Sequence, residues 1–88
     1  MIKVANLGIQ TPAICAALPN GTVCIFHGEA VILGKDIVAR EGTELPEPVK
    51  NSRQCTRLTG EFAGNQTLIN KSAVVYLAEF TLEVTHDN

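Results

Sequence analysis

Tryptophan is absent from these 88 residues, tyrosine occurs once and phenylalanine three times. A base-stacking platform therefore has only Phe26, Phe62, Tyr76 and Phe80 to draw on. Charge is scarce as well. Asp, Glu, Lys and Arg make up 18% of the chain, against roughly 25% in ordinary soluble domains. The formal net charge of −2 rules out a global basic field that would draw in nucleic acid. No positively charged leader with an apolar core and a small-residue cleavage site is present. The longest nearly apolar run, Ser72–Ala78, falls far short of the ~20 residues that span a bilayer. The expectation is a protein with no membrane partner, cytoplasmic or incorporated into an assembly made in the cytoplasm. Phosphate-binding glycine loops, dinucleotide fingerprints and internal repeats are also missing.

Cysteine is short of an even number. Cys15, Cys24 and Cys55 form a set of three, whereas a small secreted scaffold carries paired cysteines. Reduced thiols are expected. Three tripeptides have the glycosylation pattern, beginning at Asn20, Asn65 and Asn70. Without a leader they read as turn chemistry, because Asn and Ser/Thr side chains bond nearby main chain.

What the chain has in excess is aliphatic surface. Apolar residues make up 45% of the sequence, in a chain short enough to bury only about 60–65% of its unfolded surface. A domain of this size is marginal on its own and gains from a partner subunit. The surplus points to a contact surface, most simply with copies of itself.

The pattern of apolar residues points to a mostly β fold: a single compact domain, 1–88. It is expected to be a small antiparallel sandwich or barrel of about six to eight short strands. Residues Ile2–Ile9 open the chain as a strand. Asn20-Gly21 lies between two apolar runs and suits a type I′ turn, pairing Leu18 with Val23 and Cys15 with Phe26. The rival reading takes Thr11-Pro12 as a helix start and gives one short helical turn near residues 12–18, stopped by Pro19. Glu29–Leu33, Asp36–Arg40 and Gln54–Thr59 read as strands, and Gly60–Asn65 as a turn region. Residues 41–53 carry Pro46 and Pro48 and read as a long polar loop. From Ala73 to Thr85 the even positions Val74, Tyr76, Ala78, Phe80, Leu82 and Val84 are all apolar, which predicts one long strand with that face buried.

Chemistry finds few footholds. Cys15, Cys24, His27 and Cys55 are zinc-ligand types. On a strand, however, Cys24 and His27 point to opposite faces. No cofactor and no metal are expected, and no catalytic residue is singled out. Thiol catalysis would have to use His27 or His86, and carboxylate catalysis Glu41, Glu44, Glu47 or Glu61, with nothing to orient either set. The leading reading is a non-enzymatic structural or interaction protein, a profile that suits a virus-type accessory or capsid-associated role. It self-associates through Val75, Leu77, Glu79 and Thr81 on the last strand, or docks on a larger assembly. The alternative is a single-stranded nucleic-acid-binding β-barrel module using Lys50, Arg53 and Arg57 with Phe62 as a stacking ring. A third reading, a small enzyme or zinc-binding domain, needs a deep pocket around His27 or a glutamate.

Overall fold

The structure, a computed structural model, describes residues 1–85, and His86 lies outside the described residues. The elements are β1 (Ile2–Ala5), β2 (Thr11–Ile14), a 3₁₀ turn (Cys15–Ala17), β3 (Val23–Phe26) and β4 (Glu29–Asp36). They continue with α1 (Glu47–Lys50), β5 (Ser52–Arg57), β6 (Gln66–Asn70), β7 (Val74–Leu77) and β8 (Thr81–Val84). A six-stranded sheet has the order β2-β7-β3-β4-β5-β6, and β1 pairs with β8 in a second, two-stranded sheet. All pairings are antiparallel. The mostly β class, the strand number and the helical turn near residue 15 agree with the sequence pattern; the sheets do not close into a barrel.

The hairpin expected at Asn20-Gly21 does not form. β2 pairs with β7 instead of β3, and residues 15–17 coil into the 3₁₀ turn. Asn20-Gly21 occupies the centre of a tight turn closed by the Thr22 N–H on Pro19 C=O at 3.2 Å, with Gly21 at φ +85. The left-handed hairpin turn falls one strand later, at His27 (φ 51) and Gly28 (φ 77), joining Phe26 to its partner Glu29. Two positive φ angles in succession are what a type I′ turn needs. Histidine tolerates that region better than most residues.

Four further elements depart from expectation, the first being the opening strand, which ends at Ala5 instead of Ile9. Residues 37–40 form no strand; β4 runs instead through Gly34, with a pairing irregularity between Leu33 and Asp36. The stretch 41–53 is not all loop, since α1 lies within it and β5 starts at Ser52. The long final strand is divided between the two sheets. Ile2 faces Val84 and Thr11 faces Leu77. The chain thus takes nine steps on one side of the ribbon against seven on the other, and the surplus bends it. Asn6 at φ 54 turns the corner, and the Gly8 N–H holds Glu79 C=O at 2.8 Å there.

Residues in register share a face. Cys24, Val31, Leu33, Cys55, Ile69 and Val75 line the inner face of the large sheet, and Cys15 from the 3₁₀ turn completes the buried cluster. Leu18, Phe26, Ala73 and Leu77 pack against its margin. Burial of β7 therefore runs opposite to expectation. Val75 is fully buried, whereas Val74 and Tyr76 of the even face are exposed.

Candidate functional site

Arg53 sits on the inner face of β5 opposite Ile69 and is only 4% exposed. Its Nε donates to Gly34 C=O at 2.8 Å, and Nη1 donates to Cys15 C=O at 2.7 Å and Leu18 C=O at 2.6 Å. Nη2 reaches Asn20 Oδ1 at 2.8 Å. The guanidinium thus ties the 3₁₀ turn and the Pro19–Thr22 turn to the sheet, using the planar fork that lysine lacks. This corrects its assignment to a surface patch. Lys50 is exposed on α1, and Arg57 lies at the other end of β5. The strand between them, Ser52–Arg57, alone spans about 17 Å. The structure does not bring the three cations together.

The thiols share the core around this guanidinium. Cys15, Cys24 and Cys55 are free and buried. Burial pushes the Cys24 thiol up to about 11, with the neighbouring Cys15 and Cys55 adding to the rise. Burial also raises Cys15, against an opposing pull from Arg53, and raises Cys55. These are conditions for inert thiols. Among the described residues no group of three or more His, Cys, Asp or Glu is arranged to hold a metal ion.

One cleft, of about 240 Å³, opens where β3, β4, β5 and the Gly60–Gly64 turn meet. Phe26, His27, Glu29, Arg57, Glu61 and Phe62 line it. The His27 ring meets Phe26 edge-on at 4.1 Å between centroids, and the Arg57 guanidinium lies 5.6 Å from the Phe62 ring centre. At its floor Thr59 is buried; its hydroxyl donates to the Glu29 carboxylate and accepts the Ala30 N–H at 2.9 Å. Phe62 is exposed, as the turn pattern implied.

The outer face of the large sheet is a second feature. Cross-strand register places Ile14 beside Val74 and Pro12 beside Tyr76. Tyr76 in turn faces Ile25, and Val23 faces Ile32. Ile25 and Ala30 on this face are buried, and β1 lies against β4. Elsewhere on it Ile14, Val23, Val74 and Tyr76 are exposed, as is Leu68 on β6, while Ile32, Gln54 and Thr56 are half-buried. Of the residues expected to carry self-association, Val75 and Leu77 turn inward. Glu79 lies at the bend, and Thr81 belongs to the small sheet, where its hydroxyl accepts from Asn6 Nδ2 at 2.8 Å. They form no common surface. The exposed stripe was present in the sequence as the even-position alternation, with inside and outside exchanged.

No family model, curated protein or solved structure matches this chain. No helix among the described residues is long and apolar enough to cross a membrane.

Proposed function

We propose that this chain is a small, non-enzymatic interaction protein that associates with copies of itself. The observation that carries the reading is surface. A compact monomer of 9.4 kDa exposes about 5,000 Å², whereas this chain exposes 6054 Å². Its radius of gyration is 14.3 Å, where about 12 Å is usual for its length. The surplus is comparable with the roughly 800 Å² that each partner contributes to a standard protein interface. Exposed aliphatic side chains lie on the outer face and at Leu82 and Val84 of β8. Sedimentation equilibrium from one to a hundred micromolar tests the reading. A mass above one copy, little affected by salt, is the expected result, because apolar contacts are not screened. A monomer throughout the range refutes self-association.

The Arg57–Phe62 pair is the one observation that favours single-stranded nucleic acid, since a base can stack on such a ring. Glu29 and Glu61 line the same cleft and repel phosphates there. Without Arg53 the cationic patch is too small to offset them, so association is the better-supported reading.

A further inference from the structure

We infer that a second copy of this chain pairs with the free edge of β6, antiparallel and centred on Leu68, so that two six-stranded sheets become one. The inference deepens the self-association reading and rests on it. Its basis is a contrast between the two edges of the large sheet. On β5–β6 the Arg57 N–H donates to Asn65 C=O and the Lys71 N–H to Asn51 C=O. The antiparallel alternation then turns the main chain of Thr67 and Ile69 toward β5, and that of Gln66, Leu68 and Asn70 outward. No hydrogen bond within the described residues engages the outward groups of Gln66 or Leu68. On β2 the Cys15 N–H bonds Ala73 C=O, and the same alternation turns Pro12 and Ile14 outward. That edge is blunted, because Pro12 has no N–H to offer.

Natural sheet edges are commonly protected by charge, proline, bulges or cover. The β6 sequence Gln66-Thr67-Leu68-Ile69-Asn70 carries neither charge nor proline, and Leu68 is 44% exposed. It is also self-complementary. With a twofold axis at Leu68, each Leu68 N–H donates to the other copy's Leu68 C=O. Each Asn70 N–H meets the other Gln66 C=O. The Asn70 carbonyl already accepts the Ala73 N–H at 2.9 Å, so the shared ladder ends there. Leu68 packs on Leu68 on the outer face and Thr67 on Ile69 on the inner one. No like charges meet.

The test is sedimentation of the wild-type chain beside Leu68→Pro and Leu68→Lys, with circular dichroism to confirm folding. Of the main-chain groups, proline at 68 removes only an outward N–H and leaves the β5–β6 ladder bonds intact; it also trims the Leu68 contact across the seam. It is expected to weaken association about thirty-fold, as losing the central reciprocal pair implies. Lysine sets like charges opposite each other and should leave a monomer. A wild-type oligomer that persists unchanged in both folded variants overturns the β6 seam while leaving self-association standing. A monomeric wild type overturns both.

Discussion

A guanidinium with four oxygen acceptors and, among the described residues, no carboxylate contact is stabilised by dipoles, and those dipoles depend on it in return. Replacing Arg53 by methionine takes the side-chain donors from the Gly34, Cys15 and Leu18 carbonyls and leaves the buried Cys15 oxygen only the Leu18 N–H at 3.4 Å. The expected loss is about 2–4 kcal/mol of folding free energy, read as a shift in the urea midpoint. Lysine should restore little, because one ammonium cannot span Gly34, Leu18 and Asn20. The thiols give a second expectation. Their native pKa values lie above the ordinary value of 9.0, Cys24 at about 11. The unfolded chain therefore releases thiol protons first as pH rises. The thiol contribution is intact below pH 9 and is lost progressively as the pH climbs toward 11. Urea midpoints measured from pH 8 to 11 should fall over that window, and an aromatic disulfide reagent at pH 8 should label the thiols only after unfolding. Buried thiols were legible from the odd cysteine count and the apolar setting. The role of Arg53 was not, because its partners are main-chain carbonyls 19 to 38 residues away, and carbonyls leave no mark on a sequence.

At the scale of single elements, the β3–β4 turn makes its own demand. Gly28 at φ +77 has open space around the position of a Cβ. A Gly28→Ala change is thus penalised by backbone strain alone, about 1–2 kcal/mol. His27→Val should cost a similar amount, and His27→Asn should be neutral or mildly stabilising, since asparagine tolerates the left-handed region. Thermal melting of the three variants checks the order. The sequence showed where strong turn formers lie but not which pair would close a hairpin. Asn20-Gly21 is the stronger local signal. Its preceding run, however, is held in the 3₁₀ turn by the Cys15 N–H on Ala73 C=O and the Ala16 N–H on Lys71 C=O. These are contacts between distant parts of the chain, and they override local preference. The reversed phase of β7 has the same origin. Val75 and Leu77 are as apolar as Val74 and Tyr76, so alternation alone could not say which set faced the thiols.

Over the whole molecule, the extents of 50 × 31 × 17 Å describe a flat, elongated body. Surplus aliphatic surface was legible from composition; its location depended on which strands became neighbours and so was not. If β6 joins two copies, the combined sheet of twelve strands spans about 55–60 Å across its strands. Small-angle scattering of the associated protein should then show an elongated particle, not a compact dimer. The proline on β2 carries a consequence of its own. A ribbon with one sticky margin and one blunted margin joins readily once, after which both outer rims offer few donors and growth is held back. The residue that denies β2 a donor thereby favours a finite pair over an endless filament. Exchanging Pro12 for threonine should unseal that rim and let fibrils form, visible as thioflavin fluorescence.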